Sequence, residues 1–135
     1  MLIYAAHEST AEHKQTKAWI EKVLNSQNRV AIPWDNFLAF IRISTNPRIF
    51  KEPLTTKEAV WQVENWQSLE NVWVPQPGDN YLKILSELLI QSNATGNLVT
   101  DAHLAALAIE NGLTLCSTDR DFAKFKNVKW LNPLD

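Results

Sequence analysis

Asp101, Asp119 and Asp121 are the residues whose type and spacing could do chemistry in this chain. Within the stretch Asn97–Gly112 a helix is read from Thr100, its cap, with Asp101 in its first turn and Gly112 as its stop. A carboxylate in the first turn is favoured in its charged form by the helix dipole and by the free N–H groups. Asp119 and Asp121 follow the apolar run Leu113–Cys116, just past the end of a strand. In a parallel sheet they emerge on the same rim as Asp101, the edge where such folds bind ligands. Several carboxylates on one rim suit a hard divalent cation such as Mg²⁺, which prefers oxygen and keeps several waters. Mg²⁺ held by two to four carboxylates lowers the pKa of its water and stabilises charge on an attacked phosphate, whereas one Asp alone would hold it too weakly. The chemistry implied is metal-assisted phosphodiester cleavage. The spacing leaves open which of Asp119 and Asp121 faces the metal. Asp119, nearer the strand end, is favoured, with Asp121 as a helix cap or outer ligand.

The elements that must position these acids alternate along the chain. Leu2–Ala6 reads as a strand, and residues 10–26 as an amphipathic helix with Ala11, Ala18, Trp19, Val23 and Leu24 at helical spacing. Arg29–Ile32 is a short strand, and Pro33 starts a helix carrying Phe37, Leu38, Phe40 and Ile41. That helix ends at Ser44-Thr45-Asn46-Pro47. Thr55 or Thr56 caps the next helix, with Glu58 placed for a capping box and Val60, Trp61, Val63 and Trp66 along its length. Val72–Val74 is a brief strand, and residues 79–92 are a helix whose apolar face is Tyr81, Leu82, Leu85, Leu88 and Leu89. After Leu113–Cys116 come a helical turn over Asp119–Phe125 and a last strand, Val128–Leu131. Strands alternating with helices imply an α/β fold: a three-layer α/β/α sandwich on a central, mostly parallel sheet.

The 135 residues fit one domain, without internal repeat or linker. A formal charge of −2 gives no global basic footprint, so contact with nucleic acid must come from a local patch. Arg42, Arg48, Lys51 and Lys57 gather around the 45–57 loop and are the candidates, although a solvated loop explains them as well. The single cysteine, Cys116, lies in an apolar run and reads as a buried, inert thiol, in keeping with a reducing cytoplasm. His7, His13 and His103 lack zinc-ligand spacing. No apolar run approaches the ~18 residues that span a bilayer, and residues 1–8 lack the basic start of a signal peptide. Six Trp imply aromatic packing or a partner surface.

These residues resemble the PIN-domain family, in particular its VapC-type toxins. The resemblance runs through Leu2-Ile3-Tyr4-Ala5, Pro33-Trp34, Leu38–Arg42, Thr45–Phe50, Asn97–Gly112, Ser117–Phe122 and Trp130–Leu134. It implies a single PIN-like domain with Mg²⁺- or Mn²⁺-dependent endoribonuclease activity, neutralised by a cognate VapB-like antitoxin, with homodimers common. On that reading Asp101 and Asp119 are catalytic, the metal is held by Asp101, Asp119 and Asp121, and RNA contacts fall to Arg42 and Arg48. Two departures stand out. In the family an Asp precedes the strand resembling Leu2–Ala5, and the given chain starts after that point, as if the first few residues of the strand were lacking. The helix over 35–43 commonly carries a Glu three residues before the Arg resembling Arg42, and Ala39 stands there, with Asp35 one turn earlier as a substitute. The competing expectation is therefore a catalytically impaired PIN fold that binds antitoxin or RNA.

Overall fold

The computed structural model describes residues 12–135, so the expected strand at Leu2–Ala6 lies outside the described residues. The chain forms two compact units, one ending at Val74 and one covering Pro75–Asp135.

In the first unit α1 spans His13–Leu24, β1 Val30–Ala31, α2 Trp34–Ser44, α3 Thr56–Gln67 and β2 Val72–Trp73. β1 and β2 pair in parallel, Val30 with Val72 and Ala31 with Trp73. Asn71 ties the turn before β1, its side-chain amide donating to the carbonyls of Leu24, Ser26 and Asn28. Thr55 is the cap of α3: its hydroxyl accepts from the Glu58 N–H, and the Glu58 carboxylate accepts from the Thr55 N–H. The core joins Ile32, Phe37, Phe40, Ala59, Val63 and Trp66, with Phe40 and Trp66 edge to face at 4.9 Å. The inward faces of the helices are narrower than apolar type alone suggests. Ala18 is exposed while Thr16 and Ile20 are buried, because the inward stripe of α1 passes through 16, 20 and 23. Leu38 and Trp61 point outward, at 61% and 62% exposure, while Phe37, Phe40, Val63 and Trp66 fill the interior. Pro33 starts α2 as expected, standing at its N-cap in an extended conformation with its carbonyl accepting from the Asn36 and Phe37 N–H groups.

The second unit positions the acids. It holds α4 (Tyr81–Ser92), α5 (Asn97–Glu110), β3 (Thr114–Cys116), a 3₁₀ helix (Arg120–Lys124) and β4 (Lys129–Leu131). β3 and β4 pair in parallel with Leu115 opposite Trp130. Ala102, Ala105, Ala106 and Ala108 are buried on α5, and their small side chains let α4, β3 and the 3₁₀ helix approach closely. Phe122 and Phe125 are buried in the same core as Leu88 and anchor the 3₁₀ helix. The Glu110 carboxylate accepts from the N–H groups of Gly78 and Asn80, satisfying donors at the start of α4. Leu82 was expected on the inward face of α4, yet it is 70% exposed. The inward stripe is instead Tyr81, Ile84, Leu85, Leu88 and Leu89, the i, i+3, i+4 pattern of one helix face.

Helix α5 begins three residues before the expected cap. Gly96, at φ +59°, turns the chain, and the carbonyls of Thr95 and Gly96 accept from the Leu98 and Val99 N–H groups. Leu98 packs on the core, so its burial favours extending the helix backwards. Thr100 lies inside the helix and does not cap it. The stop is as expected. Gly112 adopts φ +64°, its N–H bonds the Ile109 carbonyl, and the Leu113 N–H bonds the Ala108 carbonyl, the double closure of a Schellman motif.

This packing sets apart two exchanges in the second unit. Phe122→Ala lowers unfolding free energy by about 3–5 kcal/mol in chemical denaturation, while Leu82→Ala changes it by no more than about 0.5 kcal/mol.

Candidate metal centre

Asp101 stands on the second turn of α5, so the expected stabilisation by the helix N-terminus does not apply; no acid occupies that first turn. Its environment comes from the helix face instead. Ala105 and Ala108 lie four and seven residues on, share that face and are buried, which leaves Asp101 at the edge of the packed surface. Asp119 and Asp121 lie beyond β3, at the start of the 3₁₀ helix. One carboxylate oxygen from each of Asp101, Asp119 and Asp121 lies within 4.8 Å of the others. The structure thus brings together the three acids singled out by the sequence.

The loop that carries two of them is closely tied. The Ser117 N–H donates to the Leu131 carbonyl (3.0 Å), and the Ser117 carbonyl accepts from the Trp130 indole N–H (3.0 Å). The Ser117 hydroxyl accepts from the Asp119 N–H (3.1 Å), and Asp119 Oδ1 accepts from the Asp121 N–H (2.9 Å). The capping role expected of Asp121 therefore belongs to Asp119, because it stands immediately before the 3₁₀ helix. Asp121 instead pairs with Lys124 across one turn, at 3.0 Å. Arg120 reaches away to Asp135 (3.1 Å).

The electrostatics follow from this crowding. Partial burial, and then the negative charges of Asp119 and Asp121, push the Asp101 carboxyl above the usual carboxylate range; Lys124 opposes the shift. Three oxygen donors with excess negative charge fit a hard divalent cation. Ligands of octahedral Mg²⁺, at about 2.1 Å from the ion, stand roughly 3–4.2 Å apart, so small side-chain rotations would close a 4.8 Å group around it. No sulfur or imidazole belongs to the group, which disfavours a zinc-type site.

The other residues fall elsewhere. Asp35 lies in the first turn of α2 and Arg42 in its last, both exposed, and Arg48 is exposed in the following turn; all three belong to the first unit. His103 hydrogen-bonds the Tyr81 hydroxyl through Nδ1. Cys116 is partly buried, and burial pushes its thiol pKa up, away from the reactive thiolate. Sequence reasoning passed over Ser117, Lys124 and Trp130. Ser117 carried a local signal, a Ser two residues before an Asp, which favours a side-chain turn. Trp130 carried none, since its partner is set by the pairing of β3 with β4.

Comparison with known proteins establishes the family. The PIN domain profile matches residues 1–128. The chain belongs to the PIN-domain family. It is 35% identical to Ribonuclease VapC37 of Mycobacterium tuberculosis over 133 residues, covering 98% of this chain and 92% of that protein. It is 34% identical to Ribonuclease VapC33 of the same organism, covering 99% and 94%. It is 33% identical to VapC ribonuclease Mb2897 of Mycobacterium bovis, covering 100% and 92%. The α/β class and parallel strand pairing implied by the sequence are those of a PIN-domain protein.

The raised Asp101 pKa has a definite sign for stability. Between its ordinary value of 3.8 and its raised value, the folded state binds more protons than the unfolded one. Stability therefore falls as pH rises through that window, and the loss persists at neutral pH. Asp101→Asn accordingly raises the melting temperature of the metal-free protein at pH 7, and the gain disappears below about pH 3.8, read by thermal denaturation across pH.

Proposed function

We propose that this chain is a divalent-metal-dependent endoribonuclease, the toxin of a toxin–antitoxin pair, with Asp101, Asp119 and Asp121 holding Mg²⁺ or Mn²⁺. The observation that carries this reading is the three-carboxylate group on one rim of the second unit, in a chain about one-third identical to VapC ribonucleases over almost its whole length. A bound ion would supply charge neutralisation at the attacked phosphate and an activated water. Asp101 and Asp119 are the catalytic carboxylates of this proposal. Asp119 is the more firmly held of the two loop acids, because it is fixed at both its N–H and its carboxylate. Asp121 is the outer ligand, and its pairing with Lys124 must loosen when an ion arrives. Arg42 and Arg48 are the proposed contacts to RNA phosphates, so affinity for RNA falls as salt rises. The chain as a whole is taken as a single PIN-like domain that forms a homodimer, is neutralised by a VapB-like antitoxin and works in the cytoplasm. No helix among the described residues is long and apolar enough to cross a membrane.

One observation favours a second reading. Ala39 stands where the family resemblance implies a Glu, which removes an acid from α2. A chain short of ligands would bind antitoxin or RNA without cutting.

The test is RNA cleavage by the purified full chain with Mg²⁺ or Mn²⁺. Endonucleolytic products that EDTA abolishes are expected, with Asp101→Asn reducing the rate by about 100-fold or more at unchanged circular dichroism. Cleavage indifferent to both EDTA and Asp101→Asn contradicts the proposal. RNA or antitoxin binding without cleavage, insensitive to EDTA, supports the second reading.

A further inference from the structure

We infer that Trp130 and Ser117 are positioning residues for the acidic site, acting as a hydrogen-bonded relay that holds Asp119 and Asp121 beside Asp101. The inference rests on the metal reading proposed above. Leu115 and Ser117 lie two residues apart along the extended chain, so both side chains project to the same side. Trp130 is the β4 residue opposite Leu115. Its indole reaches diagonally along the pair to the Ser117 carbonyl, a contact across thirteen residues of sequence. From Ser117 the connection runs through its hydroxyl to the Asp119 N–H, and from the Asp119 carboxylate to the Asp121 N–H. Four residues are joined end to end, and the far end carries two of the three carboxylates.

The relay has a physical task. Three like charges within 4.8 Å repel, and two of them sit on a loop that could relieve the repulsion by swinging outward. The Lys124 pairing with Asp121 offsets part of the charge but restrains little, since those side chains are 59% and 50% exposed. The restraint must come from the backbone, and the backbone of Ser117 is tied on both sides, by the Leu131 carbonyl and by the Trp130 indole. A partly buried indole N–H needs an acceptor, and its choice decides what the ring holds in place. Here the N–H is spent on the residue that orients Asp119.

The experiment measures Mn²⁺ binding by calorimetry on the full chain, together with the melting temperature of the metal-free protein. Trp130→Phe keeps an aromatic ring and removes the donor; Ser117→Ala removes the hydroxyl; Ser117→Thr keeps it. Trp130→Phe and Ser117→Ala are each expected to weaken Mn²⁺ binding by about 10-fold, the lower end of the loss from removing a group that orients a ligand. Ser117→Thr is expected to bind as the wild type does. Because both residues act through one relay, the double variant should lose about 10-fold in total, not the roughly 100-fold of independent sites. Unchanged affinity in Ser117→Ala, or fully additive losses in the double variant, overturns the inference. If Trp130→Phe fails to fold, the Ser117→Ala and Ser117→Thr pair carries the test alone. Absence of Mn²⁺ binding by the wild type overturns the metal reading and the relay together. Wild-type binding that Ser117→Ala leaves intact overturns only the relay.

Discussion

Mutual repulsion among three carboxylates is the constraint on which the second unit is built. Asp101, Asp119 and Asp121 place negative charge within a span where each raises the energy of the others, and Asp101 is also partly withdrawn from water. Such a group persists only if the surrounding fold over-determines it. In the metal-free protein Lys124, an exposed partner one turn away from Asp121, offsets part of that charge. A cation would relieve all three charges at once. The arrangement thus gives up stability in the free protein, and a bound ion would restore it, as at strained functional sites.

The rest of the unit supplies the rigidity that this requires. Helix α5 is fixed at its end by the double closure around Gly112, and its alanine face packs closely enough to bring the Asp101 turn against β3 and the 3₁₀ helix. Phe122 and Phe125 anchor that 3₁₀ helix from below, so the short segment bearing the loop acids has an apolar root. The backbone at Ser117 is tied to β4 on both sides. Each acid therefore stands on an element whose position is set by burial, not by the acids themselves. The first unit shows the same economy in its capping box at Thr55 and the three-way tie at Asn71.

Much of this was legible in the sequence, though not always for the right reason. The three acids came together as the strand-end argument implied, but the N-terminal placement of Asp101 did not survive. Gly96 and the packing of Leu98 start α5 earlier than Thr100, and a helix boundary is set by such local competition more than by a single capping residue. The face on which Asp101 lies was readable from the run of alanines, because periodicity does not depend on where the helix begins. The stop at Gly112 and the capping box at Thr55 were legible because their chemistry is local. Leu82 was misplaced inward, and the outward positions of Leu38 and Trp61 were not legible, because apolar type alone does not say which of two neighbouring stripes meets a partner. The capping by Asp119 was hidden because the start of a short 3₁₀ helix is fixed by tertiary anchoring at Phe122. Trp130 was invisible as a site residue, since only strand pairing brings it near Ser117.

The most direct measurement is the anomalous diffraction of a crystal of the full chain soaked in Mn²⁺. The account predicts one strong peak among the carboxylates of Asp101, Asp119 and Asp121, with Lys124 turned away from Asp121. A crystal that takes up Mn²⁺ elsewhere and leaves these three carboxylates with Lys124 as their only cation would contradict it.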